Sequence, residues 1–237
     1  MATFVLVPGS WLGGWVWRRV APRLRDAGHD VHAITLTALG DRAHLGSGET
    51  DVSTHIQDVV ATIEAEELTD VVLLGHSYAG VVVSGVAERI PDRIAKLIYL
   101  AGVLPVDGES FLDSAPSDFR EYAEALKAEA GPAAWRFPVI TDEDFAQYYG
   151  DHGIGAEDMA WLRRHAVGHP LGSYAEPLSG GAPAALPTTF IRCTEDAPPE
   201  LTGPRAGWGY EEIETGHWPM ISKPAELAAL LDRTARG

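Results

Sequence analysis

The stretch Val71–Gly80, VVLLGHSYAG, constrains this chain more than any other. Val71-Val72-Leu73-Leu74 reads as a short buried strand that stops at Gly75, and from Gly80 the run to Arg89 can be helical. Ser77 falls at the forced turn between them. A serine held at the tip of a strand–turn–helix, in strained backbone with its hydroxyl projecting, needs small residues two positions to either side. Only then can strand and helix pass close together. Those residues are Gly75 and Ala79, a G-x-S-x-A pattern followed by Gly80. A turn rich in Gly, Ser and Ala also joins many ordinary strands to ordinary helices, so the elbow gains meaning only from partners elsewhere in the chain.

The flanking elements repeat a strand–helix rhythm. Thr3–Val7 is an apolar strand ended by Pro8-Gly9. Trp15–Ala27 carries Val16, Val20 and Leu24 at helical spacing and closes at Gly28. His29–Leu36 alternates as a second strand, and Leu39–Asp51 is a polar loop. A helix is expected from Thr54, with Gln57 completing a capping box, through to Leu68. Ile94–Val103, Pro187–Cys193 and Tyr210–Ile213 read as further strands, and Lys223–Ala235 as a closing helix. Strands that are apolar throughout and alternate with helices predict an α/β chain whose mostly parallel sheet has both faces covered.

The segment from Pro105 to about Pro183 breaks the rhythm. It holds helix-like pieces at Asp118–Ala130, Thr141–Tyr149 and Ala156–His165, and many aromatics, Trp135 among them. Such an insertion after a central strand suggests a small helical lid (105–183) on a body formed by 1–104 and 184–237, one structural domain overall. Most of its aromatics are expected to pack the insertion onto the body.

Charge and composition exclude several roles. A net charge of −16 repels nucleic acid phosphates and anionic membranes. Cys193 is the single cysteine, so neither an internal disulfide nor a thiolate metal cluster is available. The N-terminus has no basic region, its apolar run is too short for a signal peptide, and no stretch approaches the length of a membrane span. A cytoplasmic monomer or homodimer acting on a small molecule is the expectation, with no metal and no organic cofactor.

A serine is a poor nucleophile near neutral pH unless a base takes its proton and an acid orients that base. Strand-end positions supply candidates in the order Ser77, Asp196, His217: Asp196 follows the PTTFIRC strand, and His217 lies in the turn before the last helix. Glu195 is adjacent to Asp196, and Asp107 follows the strand after the elbow, so each is an alternative acid. The oxyanion formed on attack needs two preorganised donors. The N–H of Tyr78, directly after the nucleophile, is one candidate, and the N–H of Ser10, in the loop after the first strand, is the other. Gly9, Trp11, Trp135 and Trp218 are candidate pocket walls, as is the Tyr78 ring.

Together, VLVPGSWLGGWVWRRVAPRL, GHSYAG, CTED and TGHW resemble the branch of the α/β-hydrolase superfamily that includes plant methyl salicylate esterases, hydroxynitrile lyases and small bacterial serine esterases. The resemblance covers about Thr3–Val103 and Leu186–Ala235. It implies the α/β-hydrolase fold, a triad of Ser77, Asp196 and His217, and Ser10 and Tyr78 as oxyanion donors. Pro8 stands where the family usually has histidine. The lyases of this branch carry a threonine in the first loop and a lysine after the catalytic histidine. Gly9 and Trp218 occupy those positions, so cyanohydrin cleavage is disfavoured and hydrolysis of a small apolar or aromatic ester is expected, with lactones, thioesters or plain ligand binding as the alternatives.

Overall fold

The computed structural model describes residues 1–130, 135–139, 141, 143, 153–180, 185–196 and 204–236. At its centre lies a six-stranded sheet of order β2-β1-β3-β4-β7-β8. The strands are β1 (Thr3–Val7), β2 (Asp30–Ala33), β3 (Val71–His76), β4 (Ile94–Leu100), β7 (Thr188–Cys193) and β8 (Gly209–Ile213). Every pairing in it is parallel. β3 pairs with both β1 and β4 and is buried along its whole length, which is why its sequence is continuously apolar up to Gly75.

The chain runs from β1 out to β2 on one side and returns to β3 on the other. That reversal opens a crevice at the carboxyl ends of β1 and β3, the position where open α/β sheets receive ligands. The Pro8–Gly14 loop and the Ser77 turn both begin there.

Several expected boundaries move. The helix expected over Trp15–Ala27 is a 3-10 turn, Gly14–Arg19, followed by α1 (Ala21–Asp26). Pro22 explains the break, because its ring would collide with the Arg18 carbonyl in a continuous helix. α2 spans Val52–Ala65, and its N-cap is Asp51, whose carboxylate accepts the Thr54 N–H at 2.8 Å. The Thr54–Gln57 capping box is therefore wrong: an acid three residues upstream takes the free amide first. The polar loop after β2 holds a 3-10 turn at Gly40–Leu45, and β2 is shorter than its alternating pattern. The last helices are α8 (Pro219–Ser222) and α9 (Pro224–Arg236).

Between β4 and β7 lie α4 (Phe111–Ser114), α5 (Ser117–Ala130), β5 (Arg136–Phe137), α6 (Ala156–His165), β6 (His169–Pro170) and α7 (Leu171–Ala175). β5 and β6 form their own antiparallel pair, Phe137 opposite His169. The helix expected over Thr141–Tyr149 lies almost wholly outside the described residues. Rings knit this segment together and tie it to the body: within it Tyr174 stacks on Phe111 at 4.7 Å and Phe119 on Phe137 at 4.4 Å, and Tyr78 of the body meets Tyr174 edge-on at 5.5 Å. Arg19 adds a two-pronged bond to Asp158 of α6, at 2.6 and 2.8 Å.

Candidate active site

Ser77 stands between β3 and α3 (Ala79–Arg89) with φ of +54°, a conformation that L-residues rarely adopt. Such strain persists only where the surroundings over-determine it. Here the Ser77 amide donates to the Leu100 carbonyl at 3.1 Å, while the Ser77 carbonyl accepts from Gly80 at 2.9 Å and from Val103 at 3.0 Å. A Cβ at Gly75 would lie 2.5 Å from the Ala79 carbonyl oxygen, and one at Gly80 would lie 2.3 Å from that of Val103. The close approach of strand and helix thus falls at Gly75, against the Ala79 carbonyl, while Gly80 meets the backbone of Val103 just beyond β4.

His217 is held on both sides. Its Nδ1 lies 2.7 Å from Asp196 Oδ2, a bond in which Nδ1 carries the ring proton. Asp196 is set by the end of the sheet: its amide donates to Cys193, and that of Glu195 to Thr215. Of the alternative acids, Asp107 accepts the Gly180 amide at 2.8 Å and Glu195 is exposed. The structure thus pairs Asp196, and neither of them, with His217.

His76, which sequence reasoning passed over, joins the two loops. Its Nε2 donates to the His217 carbonyl at 2.8 Å, and the two rings are 4.8 Å apart. Since a carbonyl only accepts, the His76 proton sits on Nε2 and Nδ1 is a lone pair, buried and without a hydrogen-bond partner among the described residues. Burial, reinforced by the neighbouring His217, holds its pKa well below the usual histidine range. The only sequence signal was adjacency to Ser77.

The first loop packs directly on Ser77: a Cβ at Gly9 would lie 2.9 Å from both Ser77 Cβ and His76 Nδ1. Ser10 follows at once. Neither the Ser10 amide nor the Tyr78 amide donates to a backbone carbonyl in any turn or loop bond among the described residues.

The expected wall residues divide. Trp218 is edge-on to His217 at 5.0 Å and nearly buried. Trp11 is buried too, its indole N–H donating to the Pro138 carbonyl at 3.0 Å. Trp135 packs on the Gly46–Gly48 turn under the Arg136 guanidinium, and these contacts do not join it to Ser77 or His217. The Tyr78 ring is not a wall: it is fully buried, and its hydroxyl lies 2.9 Å from His55 Nδ1. His55 Nε2 donates to the Thr37 carbonyl, so Nδ1 accepts and the tyrosine hydroxyl donates. No group of three or more metal-ligating side chains occurs among the described residues.

The model of the alpha/beta hydrolase family matches residues 4–230. The sequence is 36% identical to the carbendazim hydrolyzing esterase of Nocardioides sp. (strain SG-4G), over 98% of each chain. It is 37% identical to the probable esterase PIR7A of Oryza sativa subsp. indica, over 98% of this chain and 96% of that protein. Among solved structures, an extracellular alpha/beta-hydrolase from a Paenibacillus species superposes over the full length of both chains with a TM-score of 0.88 at 23% identity.

Proposed function

Because the chain belongs to the alpha/beta hydrolase family, we propose that Ser77 is the nucleophile of a serine esterase, with His217 its base and Asp196 the orienting acid. The protein is a carboxylic ester hydrolase. His217 Nε2 takes the Ser77 hydroxyl proton as the oxygen attacks the ester carbonyl, and Asp196 keeps the other ring proton on Nδ1. The tetrahedral oxyanion is stabilised by the amides of Ser10 and Tyr78. As the intermediate collapses, His217 returns its proton to the departing alcohol. It then takes a proton from water as the water oxygen adds to the acyl carbonyl, and passes that proton to Ser77 Oγ as the acid leaves. The observation that carries this reading is the 2.7 Å bond from His217 to Asp196, set beside a serine held at positive φ.

The segment from 105 to 183 acts as a lid, and its aromatic rings favour an apolar or aromatic group in the substrate. No described helix is long and apolar enough to cross a membrane. The protein works in the cytoplasm, as a monomer or homodimer.

The test compares wild type with Ser77→Ala on small aryl and methyl esters, lactones, thioesters and carbendazim, alongside labelling by a fluorophosphonate. Loss of the catalytic serine should lower kcat by about 10⁶-fold and abolish the adduct. Normal turnover by Ser77→Ala would refute the reading. Ligand binding without an adduct in wild type would favour a receptor.

A further inference from the structure

We propose that His169 is a positioning residue for the oxyanion loop: its Nδ1 accepts the backbone amide of Trp11 at 3.3 Å and fixes the orientation of the Ser10–Trp11 peptide. The inference rests on the reading above, in which the Ser10 amide, carried by the adjoining Gly9–Ser10 peptide, faces the substrate oxyanion; holding the turn in one form at Trp11 holds that neighbouring peptide in place.

The argument begins with a turn. The Leu12 amide donates to the Gly9 carbonyl at 3.4 Å, so Gly9-Ser10-Trp11-Leu12 is a β-turn with Ser10–Trp11 as its central peptide. Trp11 has φ of +64°, whereas Ser10 does not have a positive φ. That combination is the type II arrangement, whose third position normally takes glycine or asparagine. A bulky tryptophan there is strained, since its side chain crowds the backbone at positive φ. The turn's own sequence would favour rotating the central peptide to the type I form, with Trp11 at negative φ.

Three bonds from the segment between β4 and β7 oppose that rotation. The Trp11 amide is taken by His169 Nδ1, the Trp11 carbonyl accepts the Val167 amide at 3.1 Å, and the indole N–H reaches the Pro138 carbonyl at 3.0 Å. All three partners belong to or adjoin the β5–β6 pair, so the small sheet grips the tryptophan next to Ser10. The first bond bears most directly on peptide orientation, since rotation would turn the Ser10 carbonyl towards the place the Trp11 N–H now holds. Two acceptors would then face each other.

His169 suits the task. An amide N–H can bond only to a nitrogen lone pair, so the ring proton sits on Nε2. The ring is fully buried, stacked on Tyr174 at 4.2 Å and edge-on to Tyr78 at 4.6 Å, which leaves it little room to turn. Burial keeps it neutral, its pKa well below the usual histidine range. Nothing in the sequence marked this residue: it lies 158 positions from Trp11.

The test pairs His169→Asn, whose side-chain oxygen can replace the Nδ1 acceptor, with His169→Leu, which has none. With an aryl ester, His169→Leu should lose about 100-fold in kcat, the lower end of the loss on removing one oxyanion donor, with KM changed less than about threefold. His169→Asn should recover at least a tenth of wild-type kcat. Affinity for an arylboronic acid, which forms a tetrahedral anion on serine, should fall in parallel with kcat, while affinity for the carboxylate product stays. Wild-type kcat in His169→Leu, equal losses in both variants, or a loss confined to KM would overturn the proposal. Should neither variant fold, ring-nitrogen NMR of the wild type decides it: a proton on Nε2 throughout pH 6–8 is required, and one on Nδ1 overturns it. Ser77→Ala separates the two levels. If it is inactive while His169→Leu is fully active, only the positioning role falls.

Discussion

Gly9→Ala probes the contact between the first loop and Ser77, the proposed nucleophile. The added methyl carbon would sit 2.9 Å from Ser77 Cβ and from His76 Nδ1, and 3.1 Å from the His76 carbonyl oxygen. Carbon atoms are comfortable at about 3.5–4.0 Å, so the shortfall against Ser77 is at least about 0.6 Å. None of the three neighbours is the free end of a flexible chain. The Ser77 backbone is tied to β4, and His76 is tied to the His217 carbonyl. The Gly9–Ser10 segment must therefore move outward and take the Ser10 amide with it. Overpacking of this kind costs about 1–3 kcal/mol of stability, which lowers Tm by roughly 2–12 °C in a domain of this size. Catalysis should suffer more, since misplacing a reacting group by about 1 Å can cost 10²-fold. Saturation kinetics on an aryl acetate, with thermal melting as control, should show kcat reduced about 100-fold and KM little changed. A folded Gly9→Ala enzyme with wild-type kcat would refute the claim that this contact sets the donor's position.

Other perturbations follow from the same geometry. Asp196→Asn should leave the protein folded but lower kcat by about 10⁴-fold, since an amide in that place admits the wrong His217 tautomer; steady-state kinetics near pH 8 reads this, and a loss under tenfold would point to another acid. Tyr78→Phe strands His55 Nδ1 in the interior and should cost about 1–3 kcal/mol in urea unfolding while kcat stays within a few-fold, because the hydroxyl is engaged with His55. Stability should also decline in acid. Burial pushes the His55 pKa down to about 4, and His76 and His169 are shifted in the same direction. A folded pKa below the unfolded value of about 6.5 means that the unfolded chain binds the proton first. The stability contributed by neutral His55 is thus complete above about pH 6.5 and falls by up to about 3 kcal/mol as pH drops towards 4. Equal urea midpoints at pH 7.5 and 5 would contradict this.

Much of the molecule was legible in the sequence because its signals are local. A strand buried on both faces must be apolar, so Val71–Leu74 announced β3. The turn that exposes a serine must be flanked by small residues, so Gly75 and Ala79, with Gly80 after them, marked the elbow, while chain order and strand-end placement brought forward His217 and, with Glu195 and Asp107 as alternatives, Asp196. Boundaries were less secure wherever a single residue competes with a pattern, as Pro22 breaks one helix and Asp51 starts another. Only the tertiary structure could decide which acid meets the imidazole, that His76 ties its loop to the nucleophile strand, and that His169 grips Trp11. Each of those contacts joins residues far apart in the chain through one hydrogen bond. A periodicity is written along a chain, but a hydrogen bond between distant loops depends on where the sheet delivers their ends, and no run of neighbouring residues records it.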